Sequence, residues 1–214
     1  MNLIVETTTS FCNQGIYGFD CEDLLITNFY SEIKGDFSDE LSEEEDDETE
    51  YAPESIGYIN SYRFNLKYDY GDLCIVADNI SQYLSYFASF LLLENNIEDD
   101  FMSIPDYIYY INTVFIEPKY RGHSYGLKAL AVFLEMFAWG QVVGCHPCPI
   151  HDLTTKYSES KGKLLMRRYW RRVGLTSYSK KHNILWTEDW YMPTWLNSLI
   201  FSKQKPCFRQ NKQI

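Results

Sequence analysis

Arg121, Gly122, His123, Ser124, Tyr125 and Gly126 make up the segment of this chain best suited to chemistry. They follow Ile111-Asn-Thr-Val-Phe-Ile116, a β-branched and aromatic run with no breaker before Pro118. They lead directly into Leu127-Lys-Ala-Leu-Ala-Val-Phe-Leu-Glu-Met-Phe-Ala138. The first run reads as a strand. The second places Leu127, Leu130, Ala131, Leu134 and Phe137 at helical spacing. The first N–H groups of a helix have no partner inside it, and the helix dipole adds positive potential at that end. Glycines there let the backbone approach an anion closely, and Arg121 supplies a cation, so the loop suits a phosphate group. A bare strand–loop–helix crossover that binds nothing has the same outline.

A second reactive stretch is Cys145-His-Pro-Cys-Pro-Ile-His151. His146 stands at the end of a short strand begun near Gln141, and imidazole titrates near neutrality, so it is a candidate base as well as a strand-end residue. Two thiols and two imidazoles are suitable zinc ligands. Four ligands within seven residues, stiffened by two prolines, do not readily close one tetrahedron without a second arm, so no metal is assigned. Cys145 as a nucleophile would need a base and an acidic partner that the spacing does not identify.

These residues need elements to position them. Glu54–Leu66 alternates, with Ile56, Tyr58, Asn60, Tyr62, Phe64 and Leu66 on one face, and reads as a strand. Tyr70-Gly-Asp marks a turn. Leu73–Ala77 is expected to be a second strand, and Asp78 or Ser81 to cap a helix running to Leu93. Asp106–Glu117 is the central strand. Lys161–Val173 reads as a helix with Leu165, Met166, Tyr169, Trp170 and Val173 on one face and Arg167, Arg168, Arg171 and Arg172 on the other, ended by Gly174. That arginine face is either solvated or a polyanion surface. Leu175–Ser179 and Asn183–Thr187 read as a closing strand pair. Residues 1–35 are expected to hold one strand or short helix, and 196–214 a poorly patterned tail.

The 214 residues fit a single domain over 1–214. With 18 Tyr, 13 Phe and 5 Trp, the chain carries enough aromatic surface to build a core. No apolar run approaches the ~20 residues of a membrane span, and the first residues lack the pattern of a secretory signal. A cytoplasmic protein with thiols rather than disulfides, and with no membrane partner, is the expectation. The net charge of −11 is unevenly spread. Residues 36–50 hold ten acids and no Lys or Arg, which marks an acidic mobile loop. Residues 161–214 hold 12 Lys and Arg against two acids. The overall negative balance would suit a cationic acceptor and argues against nucleic acid as a partner, although an RNA-associated protein built on the arginine face is a third class.

The strand, the Pro118-Lys-Tyr-Arg-Gly122 loop and the amphipathic helix together resemble the acyl-CoA-binding core of the GCN5-related N-acetyltransferase (GNAT) superfamily. Its signature is Arg/Gln-x-x-Gly-x-Gly/Ala after a strand that ends near Pro. Arg121, Gly122 and Gly126 match the Arg-Gly-x-Gly-x-Gly form, and Ser124 stands where the middle glycine usually is. Tyr169-Trp-Arg-Arg-Val-Gly-Leu175 resembles the Tyr-x-x-x-Gly-Phe that closes the last helix of that family. The resemblance spans roughly residues 54–187.

It implies a GNAT-like mixed, mostly antiparallel sheet with helices on both faces. It implies an N-acetyltransferase that takes acetyl-CoA and acetylates a primary amine, small molecule or protein. Val114, Phe115 and Ile116 would hold the pantetheine arm, and Arg121, Gly122, His123, Ser124, Tyr125 and Gly126 the pyrophosphate. Tyr169 is the acid candidate, beside the alternative of a packed core tyrosine. The family tyrosine stands four residues before the glycine, a position taken here by Trp170, and where many relatives carry a glutamate within the strand this one has Tyr109, Tyr110, Asn112 and Thr113, with Glu117 only at its end, so His146 is the candidate base. These two departures support the rival reading: a non-catalytic protein that keeps the fold to bind a ligand or partner.

Overall fold

The computed structural model describes residues 2–12, 25–36, 52–94, 105–149 and 152–201. Seven strands form one sheet in the order β1-β2-β3-β4-β5-β7-β6. They are β1 (Asn2–Cys12), β2 (Ile26–Asp36), β3 (Glu54–Asn65), β4 (Tyr107–Ile116), β5 (Val142–Cys145), β6 (Ser177–Ser179) and β7 (Ile184–Thr187). All neighbours are antiparallel except β4 and β5, which the crossover helix α3 (Tyr125–Phe137) joins in parallel. The remaining helices are α1 (Tyr70–Ile80), α2 (Gln82–Ala88), α4 (Leu153–Lys156), α5 (Glu159–Arg171) and α6 (Thr194–Phe201).

Helices lie on both faces of the sheet, as β4 makes plain. Tyr109 and Ile111 are buried against α3, α5 and α6. Ile108 and Tyr110, on the alternate positions, are buried against α1, α2 and the π turn Ser89–Glu94 that continues α2. Successive strand residues point to opposite faces, so each cluster takes every second side chain. The architecture is thus the mixed, mostly antiparallel sheet that the resemblance implies.

Three expectations for the elements change. Leu73–Ala77 is helical, not a strand. Asp69 Oδ1 accepts hydrogen bonds from the N–H groups of Gly71 (2.8 Å) and Asp72 (3.3 Å) and caps α1. Leu73, Val76 and Ala77 then share its buried side. A cap and three apolar groups at helical spacing outweigh the strand preference of Ile75 and Val76. Ser81, φ −166°, breaks the chain between α1 and α2, and its hydroxyl accepts from Leu84 N–H at 3.2 Å. The N-terminal third holds two 11-residue strands in continuous register, from Asn2 opposite Asp36 to Cys12 opposite Ile26. The tail begins with α6, whose Leu196 is fully buried. Of the acidic segment 36–50, only Asp36 falls within the described residues, at the end of β2.

One irregularity overturns the single apolar face expected of β3. Ile33 faces Gly57 while Lys34 faces Ser55, leaving Ile56 as an extra residue in β3. Ile56 and Ile59 therefore both pack on the α3 side, and Phe64, in plain alternation with Ile59, lies on the α1 side. A second irregularity lies in β4, where Asn60 faces Thr113 while Ser61 faces Ile111, leaving Asn112 as an extra residue. The Asn112 bulge also reverses the alternation of β4, because one inserted residue moves every later side chain to the other face. Tyr109 and Ile111 precede it on the α3 side, and Val114 and Ile116 follow it on that same side.

Gly144, in the middle of β5, sits where the sheet meets α2. A Cβ there would lie 2.6 Å from the Phe87 ring and 3.1 Å from the Leu185 carbonyl oxygen. Phe87 is fully buried and has no space to retreat. Gly144→Ala is expected to cost about 1–3 kcal/mol of stability through overpacking, read as a lower urea midpoint with an unchanged m-value.

Candidate functional site

The site grows out of a gap in the sheet. β4 pairs with β3 as far as Ile116, but with β5 only through Ile108–Tyr110 opposite Val142–Gly144. Beyond Tyr110 the two parallel strands separate. Among the described residues, no strand lies beside the outer half of β4 on that side. The loop that follows turns through a 3-10 segment (Pro118–Tyr120) into the N-terminus of α3.

The glycine loop has the backbone an anion cradle needs. Gly122 has φ +95°, and a Cβ there would meet nothing within 4 Å. Ser124 takes the left-handed conformation, φ 62°, that a glycine would adopt without cost. As N-cap of α3 its side chain makes no capping hydrogen bond. The first N–H groups of α3 thus face the loop without a side-chain cap. Gly126 is required for another reason. A Cβ there would lie 2.8 Å from the Tyr169 hydroxyl and 3.2 Å from Ile116. The glycine brings α3, β4 and α5 together at one point.

That point is the floor of a cavity of about 300 Å³, lined among others by Val114, Ile116, Arg121, Gly126, Met166 and Tyr169. Gly122, Ser124 and Tyr125 also border it, as does Arg172. Phe115 does not. Its ring lies on the opposite face, 5.4 Å from the Tyr58 ring, with the Arg121 guanidinium 5.6 Å from its centre. His123 is exposed and stacks on Tyr125 at 5.3 Å. Burial holds the Tyr169 hydroxyl well above the usual tyrosine range, although Arg172 opposes the shift. Trp170 turns instead into the core, 4% exposed, and its indole N–H has no hydrogen-bond partner.

Arg121 is already engaged. Its Nε donates to the Ile116 carbonyl at 2.8 Å. Its two terminal nitrogens donate to Asp152 Oδ2 and Oδ1 at 2.7 and 3.0 Å, a bidentate pair. Asp152 escapes a sequence reading because only the fold brings it to the loop. Arg172, assigned from sequence to the arginine face, lies over the Trp195 ring at 4.9 Å, and Arg167 over Tyr178 at 4.6 Å. Half of that face is therefore aromatic-stacked rather than simply solvated.

Val114 and Met166 also line a second, narrower cavity of about 200 Å³, which reaches Tyr110, Asn112, His146 and Trp170. The Tyr110 hydroxyl and His146 Nδ1 lie 3.1 Å apart. Burial, with a smaller contribution from His182, pushes the His146 imidazole down from 6.5 to about 4. Burial also raises Tyr110. No sequence pattern singles out Tyr110 as the partner of His146; it is one of five consecutive aromatic or β-branched residues, Tyr107–Ile111. His146, Cys148, Pro149 and Tyr83 then border a third and larger cavity of about 450 Å³. The smallest of the three spaces thus shares lining residues with each of the other two. Cys145 is fully buried and its thiol is raised by burial, which does not suit a nucleophile. Among the described residues, no three His, Cys, Asp or Glu side chains gather as a metal site; His151 lies outside them. No helix among them is long and apolar enough to cross a membrane.

No protein-family profile and no curated protein sequence matches the chain. Among solved structures, a match is found to a chain of "The crystal structure of KacTA-DNA complex", with TM-score 0.39 and 11% identity, over 94% of this chain and 99% of that one. A likeness that loose carries no inference about activity.

His146 supplies a direct check on this geometry. Its folded-state value is depressed, so the unfolded chain binds the extra proton between pH 6.5 and 4. Its contribution to stability is full above pH 6.5 and is lost as pH falls toward 4. NMR titration is expected to show one imidazole with a midpoint near 4. In His146→Asn the matching part of the acid-induced loss of denaturation free energy disappears.

Proposed function

We propose that this chain is a GNAT-type N-acetyltransferase, transferring the acetyl group of acetyl-CoA to a primary amine. One observation carries the reading. The glycine loop at the start of α3, Arg121, the diverging edge of β4 and the Tyr169 hydroxyl all border a single cavity, whereas a bare crossover has no reason to gather them. The cradle fits the cofactor: Gly122 is open to solvent and α3 lacks a side-chain cap where a pyrophosphate would sit. The edge of β4 around Val114–Ile116 offers backbone groups to the amides of a pantetheine arm.

In the reaction a nitrogen lone pair forms a bond to the thioester carbonyl carbon. The C–S bond breaks, the nitrogen loses a proton and the sulfur gains one. His146 is neutral at pH 7 and can accept a proton from the attacking nitrogen, directly or through water. With a value near 4 it is a weak base, so the amine must arrive largely unprotonated. Tyr169 is a weaker acid than a thiol, because burial raises it. It serves the leaving sulfur as a hydrogen-bond donor to the thiolate, and the thiolate then takes its proton from solvent.

Asp152 sets the affinity on this reading, since its carboxylate occupies the guanidinium that a pyrophosphate would use. Calorimetric titration with acetyl-CoA is expected to show saturable binding, weakened at least about tenfold by Arg121→Glu. Asp152→Asn is expected to tighten binding about three- to tenfold at low salt, less at high salt. Weaker binding in Asp152→Asn would instead make Asp152 the group that positions Arg121. No binding by a folded parent would refute the proposal.

Tyr169→Phe is expected to lower kcat about 10- to 100-fold, the worth of one hydrogen bond to a charged group. Its acetyl-CoA affinity should stay near that of the parent. Equal turnover by the two proteins would make Tyr169 a packing residue. Tight acetyl-CoA binding with no transfer to any amine would favour the non-catalytic alternative.

A further inference from the structure

We infer that the 450 Å³ cavity beyond His146 is the acceptor site, and that it selects an amine whose molecule also bears an anionic group, carboxylate or phosphate, next to a flat ring. The inference rests on the acetyltransferase reading and specifies its second substrate. The space has the right place: it shares His146, Cys148, Pro149 and Tyr83 with the smaller cavity, which in turn shares Val114 and Met166 with the glycine-loop cavity. An amine entering from it meets His146 before it meets Val114.

The walls state the chemistry. Tyr83 and Tyr86 are 59% and 54% exposed, although both line the cavity. Together with Tyr157 they offer three rings to a flat partner. Cations stand at and behind the same side. Lys163 lines the cavity, and Lys156 and Lys161, which do not line it, hold their ammonium groups 5.7 and 5.5 Å from the centre of the Tyr157 ring that does. Against these three stands Glu159, already bridged to Lys163 at 2.6 Å. On the far side Glu94 is bridged to both Lys181 (3.4 Å) and His182 (3.1 Å), so it adds no uncompensated negative charge. The net charge of −11 would favour a cationic acceptor, but charges beyond about a Debye length are screened, and with Lys163 paired to Glu159 the nearby excess is the positive charge of Lys156 and Lys161 beside Tyr157. An anion on the acceptor pairs with these lysines. The same cations lower the ammonium value of the amine beside them, which leaves more of it free to attack and suits a weak base.

The test uses the full-length protein and three probes: tyramine, phenylalanine and O-phosphotyramine. Acetyl transfer is followed with each, in the parent and in Lys163→Gln. The anion-bearing probes are expected to exceed tyramine in kcat/KM by about tenfold or more. Comparison of phenylalanine with O-phosphotyramine tells carboxylate from phosphate. Lys163→Gln should remove most of the advantage while acetyl-CoA affinity, which reports an intact fold, is kept. Tyramine as good as the anionic probes, or an advantage indifferent to Lys163→Gln, would overturn the inference. If no probe is acetylated, direct calorimetry with O-phosphotyramine separates the two claims. Saturable binding weakened by Lys163→Gln supports the anionic site while the acetyltransferase reading falls; no binding overturns the site itself.

Discussion

The departure of β4 from β5 is the constraint on which the rest depends. β4 keeps its ladder with β3 to Ile116 and surrenders the one with β5 after Tyr110. A buried strand edge that loses its partner must find other partners for its backbone groups, because each one left unmade costs about 1–3 kcal/mol. Here part of that need is met by Arg121, whose Nε reaches the Ile116 carbonyl. The rest of the edge faces a cavity. The Asn112 bulge works in concert with the separation, since it rotates Val114 and Ile116 onto the α3 side just where β5 has moved away. Bulge, gap and glycine loop are therefore one feature seen at three places between Tyr110 and Gly126.

Electrostatics act on top of that geometry at short range. The Arg121–Asp152 pair is half-exposed, with side-chain exposures of 30% and 51%, so its worth in stability is small, about 0–1 kcal/mol. Its consequence for binding is larger, because any incoming phosphate competes with a carboxylate already in bidentate contact. The basic C-terminal part of the chain is likewise not a uniform field. Arg167 and Arg172 spend their charge over aromatic rings, and the lysines gather at Tyr157. A total charge says little about either place.

Much of this was legible in the order of residues, and the parts that were not have physical causes. The central strand, the crossover helix and the basic helix are long, strongly periodic and bounded by Pro118, Gly122 and Gly174, and their limits fall within a few residues of expectation. Gly174 has the left-handed conformation, φ +103°, that a helix-ending glycine supplies. Leu73–Ala77 misled because β-branched residues in a short apolar run fit either element, and the decision lay with Asp69, outside the run. β1 was hidden because it is threonine-rich and exchanges its hydrogen bonds with β2, from which the chain separates it by residues 13–25. The bulge at Asn112 has no sequence mark. Asp152, Tyr110 and Arg172 reach the site only through tertiary packing, which no local spacing records.

The rotation of α5 shows how such packing decides chemistry. Trp170, not Tyr169, stands four residues before Gly174, and a one-residue step turns a helix side chain by about 100°. Two glycine contacts fix the actual rotation. Gly162, near the start of α5, lets Pro149 approach to where a Cβ would be 2.8 Å from it, and Gly126 on α3 lets the Tyr169 hydroxyl approach to the same distance. With both ends of the helix held, Tyr169 faces the start of α3 and Trp170 faces the core, where its N–H goes without a partner. The helix thus buries Trp170 while presenting a hydroxyl to the cavity, and the fit between α5, α3 and the Pro149 loop determines which side chain faces that cavity.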